Sequence, residues 1–229
     1  MPSKSPIRPM VLKGGLVSFD TQTTGAKPSR IFIFQYNPEN IKRTLTSRAP
    51  PPPSGNTGAA KEDVMRVLGP PEDKITMTVE LDAADQLEEP EKNRVTVEHG
   101  LHPVLATLEM LLYPPANSAD LIEKLASQGK VQLSPATLPI TLLVWGKSRV
   151  VPVKLTNFSV TEEAFDTNLN PIVAKVELGM TVLTYMEYPD KNLARDAFIA
   201  YQREKENLAK LYSTAGNESG RLTGLLPGK

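Results

Sequence analysis

Residues 73–83 alternate apolar and polar side chains without a break: Ile75, Met77, Val79 and Leu81 interleave with Thr76, Thr78, Glu80 and Asp82. A period of two puts one set on each face of a pleated strand, and no helix gathers that pattern into a single stripe. Residues 173–185 repeat it. Ala174, Val176, Leu178, Met180 and Val182 face one way, and Lys175, Glu177, Gly179 and Thr181 the other. Two long strands, each with one apolar face, commit the chain to a sheet folded over a core.

The remaining segments fit around that sheet. Residues 11–20 read as a first strand, with Gly14-Gly15 as a bulge or bend. Residues 30–36 and 40–48 read as two strands paired about a corner at Asn37-Pro38, where Pro fixes φ and Asn caps a turn. Residues 138–145 are almost wholly apolar, which predicts a strand buried on both faces. Gly146-Lys147-Ser148 is a hairpin turn. Residues 149–154 return from it, Pro152 arguing for an edge or a bulge, and residues 155–165 continue as a strand. A helix is expected over residues 101–113, with Leu101, Leu105, Leu108 and Leu112 on one face and Pro114-Pro115 as its stop. Shorter helices are expected within residues 61–68 and 118–127. A terminal helix over residues 189–212 would use Asp190 as N-cap. Residues 49–72 and the acidic residues 84–98 are loop excursions. The expected class is therefore mainly β (α+β). A β-sandwich or barrel with one packed helix spans residues 1–188, and a C-terminal helix and flexible polar tail span residues 189–229.

Composition narrows the function. Lys and Arg total 26 and Asp and Glu total 26 in 229 residues, so no global basic field draws the chain to nucleic acid or acidic lipid. The absence of cysteine excludes disulfides, thiolate metal sites and cysteine nucleophiles. Residues 1–9 carry Lys4 and Arg8 without an apolar stretch behind them, unlike a signal peptide. The apolar run at residues 138–145 is too short to span a bilayer, so a soluble protein is expected.

Catalytic patterns are thin. His99 and His102 are three apart but lack a specified third ligand, and their position at a helix entrance explains them without a metal. Glu162 and Glu163 are adjacent on a strand and point to opposite faces, so they cannot share one substrate without a bulge. Gly55-Asn56-Thr57-Gly58-Ala59-Ala60-Lys61 lacks phosphate-loop spacing. No enzyme activity, cofactor or metal is expected.

Three blocks, in order, carry a family resemblance. The first is Phe34-Gln35-Tyr36-Asn37-Pro38-Glu39. The second is Gly69-Pro70-Pro71-Glu72 leading into the alternating strand that ends at Leu81-Asp82. The third joins Trp145-Gly146 to the stretch holding Phe165, Asn170, Pro171 and Ala174. Over residues 10–187 the chain resembles the tube-domain, baseplate tube-adaptor protein of extracellular contractile injection systems, the phage tail-like machines. The resemblance implies a phage tail-tube-like fold and a structural role, with those residues as structural motif positions. It implies a sixfold homo-oligomeric ring whose partners are the inner tube protein, the spike or hub protein and the baseplate wedge proteins. It implies no nucleic acid and no direct membrane insertion. Synthesis and assembly would be cytoplasmic, in a particle released or membrane-anchored as a whole. Many members continue into a LysM module. The residues after Tyr188 are too few for one, so peptidoglycan binding is not implied. The alternative reading is a free-standing carbohydrate- or peptide-binding β-sandwich, which the 6% aromatic content and the single Trp145 favour less.

Overall fold

The computed structural model describes residues 12–20, 25–49, 66–114 and 138–215. The strands are β1 (Gly15–Phe19), β2 (Arg30–Ile33), β3 (Lys42–Thr46), β4 (Glu72–Asp82), β5 (Ile140–Val144), β6 (Val150–Phe165) and β7 (Pro171–Val182). Four helices lie among the described residues: α1 (Ala84–Leu87), α2 (Arg94–His99), α3 (His102–Glu109) and α4 (Leu193–Ala215). The protein is mainly β, in the α+β class. Among the described residues, seven strands form one antiparallel sheet in the order β2-β1-β5-β6-β7-β4-β3.

β6 holds the sheet together by serving both halves. Val150 to Val153 pair with β5, and Val153 to Phe165 pair with β7. The register slips between Leu155 and Asn157, where β6 spends one more residue than β7. A single extra residue swaps the faces of everything beyond it. Val151, Val153 and Leu155 are buried before the slip, whereas Phe158 and Val160 pack against the core after it. The strand therefore keeps an apolar side inward through a bend.

The two halves enclose one core. Leu16, Phe34 and Leu143 from the first half share it with Ile75, Val79, Val176, Leu178 and Met180 from the second. α3 adds Leu105 and Leu108, and the flanking Leu101 and Leu111 are buried beside them. α4 begins over a second cluster, where Ala194 meets Phe19, Ile140 and Leu142. One turn later Phe198 and Tyr201 join the main core, Phe198 lying edge-on to Tyr185 at 5.9 Å. β5 is thus covered on both sides, as its apolar run requires. Among the described residues, no helix is long and apolar enough to cross a membrane.

Several local expectations change. β2 and β3 do not pair about Asn37-Pro38; they are the two opposite edges of the sheet. Pro152 lies in a central strand, not an edge. Its carbonyl accepts from Leu183 N at 2.9 Å on the β7 side, just past the last ladder pair, Val153↔Val182, so its missing N–H forgoes only the reciprocal bond at the very end of that ladder. Gly14-Gly15 is not a bulge, because the register of β1 runs unbroken on both sides. The N-cap of α4 is Asn192 and not Asp190: Asn192 Oδ1 accepts from Arg195 N at 2.9 Å. Residues 84–98 hold α1 and α2, and residues 66–68 are not helical. The helix expected at residues 118–127, the loop at residues 55–61 and the tail from residue 216 lie outside the described residues.

Leu108 sits fully buried where α3 meets the sheet. Leu108→Ala is expected to cost about 2–5 kcal/mol, read as a lower denaturant midpoint at unchanged slope.

Candidate functional site

Residues 34–41 must carry the chain from one edge of the sheet to the other, between the end of β2 and the start of β3. Laid flat, seven strands would set those edges about 29 Å apart, the full reach of the eight linking residues at roughly 3.5 Å each. The segment is not stretched. It bends at Gln35-Tyr36, and the sheet rolls so that its edges approach.

Gln35 fixes that approach. Its Nε2 donates to the Asp82 carbonyl at 2.6 Å, and its Oε1 accepts from the Asp82 N–H at 2.9 Å. β3 covers β4 only as far as Thr76, so the main chain of Asp82 has no ladder partner on that side. The Gln35 amide takes the place of a strand residue there and ties β2 to β4. Asn37 repeats the device one step later: its Oδ1 accepts from Gly14 N at 2.9 Å and its Nδ2 donates to Leu12 O at 3.0 Å. Between them Phe34 is completely buried, 6.2 Å from Trp145 and 5.6 Å from Phe32 between ring centres. Gly14 gives the Trp145 ring its room, since a Cβ there would lie 2.5 Å from the indole.

The other motif residues divide. Tyr36, Pro38 and Glu39 line a shallow hollow beside Thr78 and Glu80, with Tyr36 and Glu39 exposed. Leu81 is buried next to Asp82. Gly146, at φ +73°, makes the β5–β6 turn, across which Trp145 N donates to Arg149 O at 2.7 Å. Ala174 is buried within β7 opposite Leu81, while Asn170 and Pro171 belong to a second centre at the β6–β7 turn. There Asp166 Oδ1 accepts from Asn168 N and Asn170 N, and its Oδ2 from Asn170 Nδ2, at 2.7 to 2.9 Å. Asn170 Nδ2 also reaches the Glu98 carbonyl at 3.1 Å, and Pro171 O accepts from Leu101 N at 2.9 Å. The turn is so latched to the α2–α3 junction. The Asn170 side chain first, then the backbone N–H groups, holds the Asp166 carboxyl below the usual carboxylate range. The latch props apolar side chains outward: Phe165 is 50% exposed, and Leu169 is 77% exposed at φ +66°.

His99 closes α2 and His102 opens α3, both exposed. Glu162 and Glu163 stand opposite Ala174 and Val173, and Glu163 pairs with Lys175 at 3.0 Å. Among the described residues, no group of three or more His, Cys, Asp or Glu side chains is placed to hold a metal ion. A groove of about 330 Å3 runs between β2 and α3, lined by Ile31, Ile33, Leu101 and Val104.

Two polar centres carried no local sequence signal. Glu187 accepts from Thr184 N, Thr184 Oγ1 and Arg48 Nη2 at 2.6 to 2.7 Å, tying the end of β7 to the chain after β3. Burial raises its carboxyl, but the Thr184 and Arg48 bonds outweigh it and the net shift is downward. Arg43 on β3 pairs with the buried Asp73 on β4, beneath Tyr201 of α4. No protein-family model matches the chain, and no curated protein sequence matches it.

Gln35→Ala leaves the Asp82 N–H and carbonyl without partners and is expected to cost about 1–3 kcal/mol. Gln35→Glu is the sharper probe. Its carboxylate can accept but not donate, so the variant is weakened at neutral pH. Protonation restores the donor, which raises the folded-state pKa, and stability relative to the parent should recover as pH falls. Parallel denaturant curves across pH measure this. Asp166 should behave in the opposite sense. Its folded pKa is depressed, so its contribution is complete above the ordinary carboxylate range and is lost as pH falls through the lowered value. The amide protons of Asn168 and Asn170, followed by NMR titration, should keep their positions until below that range.

Proposed function

We propose that the chain is a structural component of the baseplate of a contractile injection system. It adapts the inner tube and spike hub to the baseplate wedges as one subunit of a sixfold ring. The observation that carries this reading is where the resembling residues fall. Phe34, Gln35, Asn37, Asp82 and Trp145 gather at the rolled seam, and Asn170 and Pro171 at the hairpin latch, and such joints between elements suit a scaffold. A scaffold role also suits the open parts of the sheet. β2 and β3 are edge strands, and β6 beyond Lys154 is paired on the β7 side while β5 pairs with it only up to Val153. Unpaired strand edges are what neighbouring subunits in an assembly cover.

The test is affinity capture of the tagged full-length chain from its native host, read by mass spectrometry. Recovery of sheath, inner-tube, spike and wedge proteins together is the expected outcome. Recovery of the chain alone, from cells shown to express a sheath, would overturn the reading.

A further inference from the structure

Charge is balanced over the whole chain but not over its length. Three cations meet at one end of β4. Lys205 from α4 lies within electrostatic reach of Arg43 from β3, of Arg149 from the β5–β6 turn and of Asp73, and its neighbour Tyr201 reaches Arg43. Asp73 is already engaged by Arg43. Lys205 Nζ rests 4.3 Å over the Tyr201 ring. Partial burial first, then Arg43 and Arg149, pushes the Lys205 ammonium below its ordinary value, and Asp73 opposes them. Of the groups that act on Lys205, two are cations and one, Asp73, is a carboxylate, while Glu204 and Glu206 flank it along α4. Arg43 Nε and Asp73 Oδ1 are buried and have no hydrogen-bond partner among the described residues.

The opposite end of β4 has the reverse charge. Asp82 leads into α1, the link after it and α2, where Asp85, Glu88, Glu89, Glu91 and Glu98 are exposed against only Lys92 and Arg94. Lys92 is spent on Glu89, at 2.7 Å. Nine residue steps separate Asp73 from Asp82 on one strand, which is about 30 Å. Screening in physiological salt acts over about 8 Å, so the two patches cannot neutralise each other within one molecule. They can meet only between molecules, and the contact that joins one end to the other is head-to-tail.

We propose that the Arg43–Arg149–Lys205 cluster of one copy receives the exposed carboxylates of residues 85–98, on α1, α2 and the link between them, of the next copy. The contact stands on the charge layout, while its closure into a ring rests on the assembly reading above. Such a contact brings counter-charges to the crowded cations, steers copies into one orientation and weakens with salt.

Chemical shifts of the full-length chain, followed over a dilution series in low and high salt, read the contact directly. Concentration-dependent shifts are expected at Arg149, Lys205, Glu88 and Glu89 in low salt, with affinity falling about tenfold or more in high salt. Arg149→Glu with Lys205→Glu should abolish them, and so should Glu88→Lys with Glu89→Lys. All four positions are outside the buried core, and circular dichroism checks each fold. Mixing the two double variants should restore association between them, because the unaltered acidic end of one meets the unaltered cationic end of the other and the two reversed ends match as well. Shifts that stay constant with concentration in low salt, or a mixture that fails to associate, would overturn the proposal. If sheath and tube proteins are captured while this contact is absent, the contact falls and the assembly reading stands. If the contact is present while only the chain is captured, the reverse holds.

Discussion

An amide side chain stands in for a strand where β2 meets β4. The sheet has its two edge strands joined by a link that could cross it flat only at full stretch; the link bends instead, and the sheet rolls. Rolling brings the main chain of Asp82 against Gln35, and a peptide edge without partners in that position would cost about 1–3 kcal/mol per group. Gln is the residue that answers both needs at once, since it carries a donor and an acceptor in the spacing of a peptide unit. With the seam fixed, Phe34 is held in the core against Trp145, and Asn37 can hold the chain before β1. The bulge in β6 is the same requirement seen from the other side, because a rolled sheet needs one strand that bends between its halves.

The long alternating strands were legible in the sequence because burial on one face leaves a direct mark on the pattern. β4 and β7 carry their apolar sides inward as read, and β5 is covered on both sides as its apolar run demanded. Readings failed where the cause lay far away along the chain. Asn37-Pro38 has the chemistry of a turn, yet the Asn37 side chain is committed to Leu12 and Gly14, not to closing a hairpin. The Gly14-Gly15 pair suggests a bulge, but the small residue at position 14 makes room for Trp145, more than a hundred positions on. Pro152 breaks a local rule for central strands and is tolerated because the ladder with β7 stops one residue away. Asp190 and Asn192 are both good caps two positions apart, and propensity alone cannot choose between them. Gln35 was quoted as a motif position, but its role depends on Asp82, 47 residues later.

The surface is arranged less tightly than the core, but not at random. The Asp166–Asn170 network fixes a turn in which Leu169 takes a left-handed conformation that an ordinary side chain adopts at a cost of order 1–3 kcal/mol. That cost is met by hydrogen bonds within the turn and to α2, so the exposed Leu169 is held in place and does not wander. A similar economy holds at the other end of the sheet. There α4 lies with its first turns on β5 and β6 and its Tyr201 over the Arg43–Asp73 pair, which joins the helix to the edge strand β3. Rigid ends with fixed polarity are what a repeating contact between identical molecules requires.

The pairing of β1 has a consequence for how the chain comes into being. β1 has only β2 beside it until β5 arrives at residue 140, and β4 finds its full-length neighbour only in β7, at residue 171. A ribosome therefore exposes strands from the first third of the protein long before their partners exist, and the rolled sheet cannot begin to close until nearly four-fifths of the 229 residues have been made. Sheets dominated by such distant pairings fold slowly and leave sticky edges in waiting. For this molecule the interval of synthesis is the period of greatest exposure, and it falls on the amino-terminal strands.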